Sequence, residues 1–162
     1  IYDCIFSIYV YGEDAIVYGD AGNDYIEAYV DNYVNINDNS GSNVFKVASP
    51  EDETKDIRMY INNNKVFIMS ADNFEYYYSI SRLTQYFLPK VTIETPDYFS
   101  KLYVNDTQYV TYSDVQQIMS EAETWRTDNG FDAEYKVFSQ GSEDQISDYL
   151  NVFAGINDKL RT

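Results

Sequence analysis

The chain has 162 residues, of which 27 are acidic and 11 basic, so its formal net charge at pH 7 is −16. A field of that sign repels nucleic acid and anionic membrane surfaces, and it favours cations or basic partners. Histidine is absent and Cys4 is the single cysteine, which excludes a Ser-His or Cys-His dyad, an internal disulfide and a cysteine-rich metal cluster.

The composition predicts a folded protein. Hydrophobic residues make up 44% of the chain and include 18 tyrosines and 9 phenylalanines, whereas disordered acidic segments contain few aromatic residues. No apolar run approaches the roughly 18 residues that a membrane span requires. The chain begins at Ile1 in a strand-like pattern, so we expect it to be a piece of a longer protein.

The first part of the chain alternates short apolar segments with Gly, Asn and Asp. These segments predict strands at residues 6–11, 15–18, 25–30, 33–36 and 44–47. Gly and Asn accept the left-handed backbone of tight corners. Short strands with polar corners favour a coiled solenoid over hairpins with two-residue loops.

A polar, charged break with a proline at residues 49–55 is the best candidate boundary, and it divides the chain into 1–48 and 49–162. Beyond the break, Asn-rich turns predict two hairpins. The hairpins pair 57–61 with 65–69 and 102–104 with 109–112, and two further strands are predicted at 74–80 and 90–94.

Two helices are predicted at the C-terminal end. Ser113 and Gln116 have the spacing of a capping box at the start of the first helix, which should end before Asp128. Its apolar face is formed by Val115, Ile118, Met119 and Ala122. The second helix should run from about Ser142 to near Gly155. Its buried stripe comprises Ile146, Tyr149, Leu150 and Phe153.

The most informative segment is residues 19–27, Gly-Asp-Ala-Gly-Asn-Asp-Tyr-Ile-Glu. It resembles the calcium-binding nonapeptide G-G-x-G-x-D-x-U-x of the RTX (haemolysin-type) family, in which U is a large apolar residue. The defining positions are filled by Gly19, Gly22, Asp24 and Ile26, and Asp20 replaces the second glycine.

A second copy occupies residues 38–46, 19 positions later. Asn39, Ser40, Gly41, Asn43 and Phe45 match Asp20, Ala21, Gly22, Asp24 and Ile26 in that order. One coil of the family's β-roll takes two nonapeptides, so the two turns should stack on the same side. Residues 102–115 also resemble the strand, turn, strand and helix that follow many RTX repeats.

In this family calcium lies between stacked turns. The resemblance therefore implies a Ca²⁺ site formed by Gly19, Asp20, Ala21, Asp24, Asp38, Asn39 and Asn43. Two departures weaken it: Asn43 stands where the family has its Asp ligand, and Asp38 stands where the first glycine belongs. A calcium-free capping coil and an unrelated β structure remain alternatives.

The expected fold is mainly β with C-terminal helices: a short, RTX-like parallel β-roll over 1–48, then a β-rich capping region with two helices. In such a roll, residues 25–27 pair in parallel with 44–46, whereas a flat hairpin across residues 31 and 32 would be antiparallel. The side chains expected to point inward are Ile16, Ile26, Ile36 and Phe45, with Val34 as a neighbour. Tyr25 should point outward.

We expect no enzymatic activity, because the acidic pairs, such as Glu121 with Glu123, are typical of solvated surface. The leading hypothesis is a calcium-stabilised structural or interaction module of a secreted or surface-exposed bacterial protein, which the resemblance links to type I secretion. One alternative is a module that binds a cell-surface carbohydrate or host protein through tyrosines such as Tyr76 and Tyr78. A third is an acidic inhibitor that mimics nucleic acid.

Overall fold

A computed structural model gives the architecture, and it describes residues 7–10, 14–19, 21–30, 32–48, 57–62, 64–70, 90–94 and 98–162. The strands of this part are β1 (Ser7–Val10), β2 (Asp14–Tyr18), β3 (Tyr25–Tyr29), β4 (Tyr33–Asn37), β5 (Asn43–Ala48), β6 (Ile57–Asn62), β7 (Lys65–Ser70), β8 (Val91–Ile93), β9 (Phe99–Tyr103) and β10 (Tyr109–Val110). The helices are α1 (Tyr112–Asp128), α2 (Glu134–Gln140) and α3 (Glu143–Ala154), followed by a short 3-10 helix at Gly155–Lys159. The fold is β-rich with C-terminal helices, as predicted.

The first five strands form coils that alternate between two sheets. β1, β3 and β5 pair in parallel in one sheet, and β2 pairs in parallel with β4 in the other. Tyr25 lies beside Val44, so the predicted parallel pairing of 25–27 with 44–46 is confirmed. β3 and β4 lie in different sheets, which rules out the hairpin across residues 31 and 32.

The connection after β5 departs from a simple succession of coils. β6 and β7 form an antiparallel hairpin, and β8 then pairs in parallel with β4 while β9 pairs in parallel with β5. Val34 is thus aligned with Val91, 57 positions later (91 minus 34). The described strands follow the orders β1-β3-β5-β9-β10 and β2-β4-β8-β7-β6, so both sheets continue beyond residue 48.

The core lies on the inner faces of the two sheets. Ile26, Ile36 and Phe45 are fully buried, and Val34 is 2% exposed, as predicted. The prediction for Ile16 is wrong, because this side chain is 65% exposed. Side chains alternate along a strand, and in β2 the inward positions belong to the residues on either side of Ile16. These are Ala15, which packs against the core, and Val17, which is buried.

Both predicted hairpins are present in the described residues. β6 and β7 pair from Ile57 with Ser70 to Asn62 with Lys65, and Asn64 supplies a left-handed backbone with φ of 59°. The second hairpin pairs Tyr103 with Tyr109. The predicted break at 49–55, the predicted strand at 74–80 and Cys4 lie outside the described residues.

The first helix begins one residue earlier than predicted, and its cap is different. The N-cap is Thr111, whose side chain accepts from the backbone amide of Asp114, while the Asp114 carboxylate accepts from the amide of Thr111. This reciprocal pair replaces the expected box of Ser113 and Gln116. Of the predicted apolar face, Val115, Ile118 and Ala122 are buried, whereas Met119 is only partly buried.

The second predicted helix is α3, with Ser142 as its N-cap, and it ends before Gly155 as expected. Tyr149 and Phe153 of its predicted stripe are buried. α2 was not predicted, since it has seven residues and no side chain caps its start. Among the described residues, no helix has the length and apolar character needed to cross a membrane.

Candidate metal site between two stacked turns

Two turns, residues 19–24 and 38–43, lie one above the other as the repeat predicted. The amide of Gly19 donates to the carbonyl of Asn37 at 3.4 Å. At the other end of the turns, the amide of Val44 donates to the carbonyl of Asp24 at 2.8 Å. We refer to them as the first turn and the second turn.

Glycine allows the two turns to approach closely. Gly41 has a φ of 79°, and a Cβ added there would lie 1.5 Å from the carbonyl oxygen of Gly22. Gly22 itself has a φ of 141°. Any other residue at position 41 would force the turns apart, so the two glycine matches of the repeat have a direct steric cause.

Asparagine side chains join the two turns. Oδ1 of Asn43 accepts from the amide of Asp24 at 2.9 Å, and Nδ2 of the same residue donates to the carbonyl of Ser40 at 2.9 Å. In the opposite direction, the amide of Ser42 donates to Oδ1 of Asn23 at 2.8 Å. The buried Asn43 therefore stabilises the second turn and links it to the first turn.

Two carboxylates are buried in the same place. Asp24 is 2% exposed and Asp38 is fully buried. A Cβ added at Gly19 would lie 2.0 Å from Oδ2 of Asp38, so the carboxylate occupies the space that this glycine leaves open. Oδ1 of Asp38 accepts from the amide of Ser40 at 3.3 Å.

The electrostatics of the pair favour a cation. Burial raises the pKa of Asp38 above its ordinary value, and the charge of the nearby Asp24 raises it further. Hydrogen bonds from Ser40 and Asn43 oppose this rise. Two carboxylates that approach each other out of water repel, and either a proton or a metal ion relieves the repulsion.

The structure brings four of the seven predicted ligands together: Gly19, Asp24, Asp38 and Asn43. Ala21 and Asn39 are exposed, and Asp20 lies outside the described residues. No group of three or more Asp, Glu, Cys or His side chains suited to a metal occurs in the described part of the chain. Any ion bound between the turns would therefore depend on backbone and amide oxygens as well as on the two carboxylates.

The sequence reasoning missed the hydrogen bond between Asn23 and Ser42. Its signal was present in the repeat, because the two residues are also 19 positions apart and belong to equivalent turns. Comparison of the chain with protein-family models, curated proteins and solved structures finds no match.

Proposed function

We propose that the two stacked turns hold a calcium ion, and that the chain is a non-catalytic, calcium-stabilised structural or interaction module of a secreted or surface-exposed bacterial protein of the RTX kind. One observation carries this proposal: the carboxylates of Asp24 and Asp38 are buried next to each other between equivalent turns.

The chemistry of the donors fits calcium. Ca²⁺ takes 6–8 oxygen ligands from carboxylates, carbonyls, amide side chains and water, in a flexible geometry. The turns offer two carboxylates, which balance the charge of the ion, together with backbone carbonyls and Oδ1 of Asn43. With only two charged ligands, we expect a dissociation constant no tighter than the roughly 10⁻⁴–10⁻³ M of extracellular calcium modules.

Calcium binding would couple folding to location. The charge of −16 destabilises the compact state by self-repulsion, and the two buried acids add a local repulsion. An ion that binds the folded chain and not the unfolded chain shifts the equilibrium toward folding. The chain would then gain stability where calcium is abundant, which supports the assignment to the outside of the cell or to the cell surface.

The test is a calcium titration of an EDTA-stripped sample followed by thermal melting. We expect the Tm to rise with the logarithm of calcium concentration above the dissociation constant, and magnesium at equal concentration to have a smaller effect. Asp24→Ala should remove the response. The exposed acid Asp128 supplies the matched control, Asp128→Ala, which should retain it. A Tm of the wild-type chain that does not move at millimolar calcium would refute the proposal.

A second candidate function is carbohydrate binding. Tyr9 is 52% exposed on the outer face of the first sheet, and its ring centroid lies 6.1 Å from that of the partly buried Tyr25. An exposed tyrosine ring can stack against the face of a sugar. Tyr76 and Tyr78, which the sequence predicts for this role, lie outside the described residues. A glycan array with the wild-type chain and with Tyr9→Ala tests this function separately from calcium.

A further inference from the structure

A cavity of about 610 Å³ lies among the helices, outside the stacked turns. One side is formed by residues of α1 at helical spacing, and the other by residues 132–135 at the start of α2. Tyr149 of α3 and Asn64 of the β6–β7 turn complete the wall. Its volume is within the range of about 300–1,000 Å³ that is usual for small-molecule sites.

The wall of this cavity contains a partly buried acid, Glu134. Glu134 is half-buried, and its Oε1 is out of contact with water and accepts no hydrogen bond from the described residues. Burial raises the pKa of Glu134 to about 8. Keeping such a carboxyl in the wall costs free energy unless it has a hydrogen-bonding or charged partner, and a bound molecule would supply that partner.

A hydrogen-bond donor on the same wall is also unsatisfied. Nε of Arg126 is buried, and no acceptor for it occurs in the described part of the chain. The charges of Arg126 and Glu134 both act on the phenol of Tyr149: burial is the main cause that raises its pKa, Glu134 raises it further and Arg126 lowers it. Oε1 of Glu134 and Nε of Arg126 therefore both lie near Tyr149, close enough for a single small molecule to contact both.

The charge of the wall selects the ligand. The wall contains the carboxyls of Glu123 and Glu134 and the guanidinium of Arg126, whereas its third carboxyl, that of Asp132, is already paired with Lys136 at 2.6 Å. We propose that the cavity binds a free amino acid with a basic side chain, of the arginine or lysine type. Its α-ammonium group and its cationic side chain would pair with the carboxyls of Glu123 and Glu134, and its carboxylate would pair with the guanidinium of Arg126. The ring of Tyr112 in the same wall adds an aromatic face for a cation.

Binding of such a ligand is coupled to a proton. In the empty cavity at neutral pH, Glu134 carries a proton because its pKa lies near 8. A cation placed beside the carboxyl stabilises its ionised form, so the proton leaves to the buffer as the ligand enters. A neutral sugar in the same cavity would accept a hydrogen bond from the protonated acid and release no proton.

Isothermal titration calorimetry at pH 7 with L-arginine and L-lysine tests the proposal on the whole chain. The titrations are run in phosphate and in Tris, whose ionisation enthalpies differ, with L-glutamate and glucose as comparison ligands. We expect arginine or lysine to bind with release of a fraction of a proton up to about one per site, and glutamate to bind at least about tenfold more weakly. This result needs no variant and so does not depend on whether a variant folds.

The variant Glu134→Gln tests whether the proton released on binding comes from Glu134. We expect it to weaken binding by about ten- to a hundredfold and to remove the difference between the two buffers. The exposed acid Asp148 on α3 gives a matched control, and Asp148→Asn should change neither quantity. Absence of arginine and lysine binding at about 10 mM, equal binding of glutamate, or binding without proton release would each overturn the proposal.

Discussion

The backbone amide of Asp24 donates a hydrogen bond of 2.9 Å to Oδ1 of Asn43, the residue 19 positions later that fills the same place in the next turn. Nδ2 of Asn43 donates in turn to the carbonyl of Ser40. The oxygen of this amide therefore joins the two turns, and its nitrogen stabilises the second turn. An aspartate at position 43 would keep the acceptor but lose the donor.

We expect Asn43→Asp to have opposite effects with and without calcium. In EDTA the change loses a buried donor and brings a third carboxylate to Asp24 and Asp38, so the free energy of unfolding should fall by about 1–3 kcal/mol. In calcium the extra carboxylate becomes a ligand, so the dissociation constant should decrease. Thermal melting in both conditions measures the two effects. Weaker calcium binding by the variant would show that Asn43 does not face the ion.

Asp38 should make the stability of the calcium-free chain depend on pH. The pKa of Asp38 is raised in the folded state. At low pH the acid is protonated in both the folded and the unfolded chain, and it does not destabilise the fold. The free energy of unfolding then falls as the pH rises through the folded pKa. Asp38→Asn should flatten this part of the pH profile in EDTA and also abolish the calcium response. Urea unfolding at several pH values measures both; the exposed Asp158→Asn is the control.

Ile26 and Ile16 provide a matched pair for the coiled core. Ile26 is fully buried, so Ile26→Ala should cost about 2–5 kcal/mol from lost burial and the cavity left behind. Ile16 is 65% exposed on β2, so Ile16→Ala should change the free energy of unfolding by less than about 0.5 kcal/mol. Urea denaturation of both variants measures the two changes in the free energy of unfolding. A similar loss in the free energy of unfolding at the two positions would contradict the finding that Ile16 points away from the core.

The buried acid of the helical cavity should destabilise the chain at higher pH. Because the folded pKa of Glu134 is near 8 and its ordinary value is 4.5, stability is lost as the pH rises between these values. Glu134→Gln should remove that slope and stabilise the chain at pH 8 by on the order of 2–4 kcal/mol. Urea unfolding at pH 5 and pH 8 gives the difference. The exposed Asp148→Asn should leave the slope unchanged, and an unaltered slope in Glu134→Gln would disprove the assignment.

Asp114 should make the chain less stable at low pH, in contrast to Glu134. Nε and an Nη atom of Arg161 donate to its two carboxylate oxygens at 3.0 and 2.8 Å, and this contact lowers the pKa of Asp114 to about 2. The stabilisation is present above pH 3.8 and is lost as the pH falls toward 2. In Arg161→Ala the pKa of Asp114 should move toward 3.8, as measured by NMR titration. Lys136→Ala, which removes a surface ion pair with Asp132, should not shift it.

The parallel coils could be predicted because the repeat is local and regular. Ile26 and Phe45 have the same place in two segments one coil apart, and the structure aligns them. The pairing of β8 with β4 could not be predicted, since no repeat marks Val91 as the partner of Val34. The error at Ile16 has a simple cause: residues 15–17 are all apolar, so either phase of the strand fits the pattern.

The candidate site and the helical region also contain both predictable and unpredictable features. The stacking of the turns that contain Asp24 and Asp38 followed from aligning the two nonapeptides, because equivalent corners of successive coils stack. The cap of α1 was misplaced because Thr111 with Asp114 and Ser113 with Gln116 have the same spacing. The cavity beside Glu134 was not anticipated, since it depends on α2, whose start carries no capping side chain.

The long connection between β5 and β8 shows how little the coils depend on the length of chain that joins them. A circuit from Val34 to Val91 takes 57 residues, against 19 from Ile26 to Phe45, yet each circuit ends on a strand that pairs in parallel with the strand where it began. The hairpin β6–β7 belongs to this longer circuit, and β7 pairs antiparallel with β8 in the second sheet. The additional residues therefore widen the second sheet by two strands, while the parallel succession from β4 to β8 and from β5 to β9 continues.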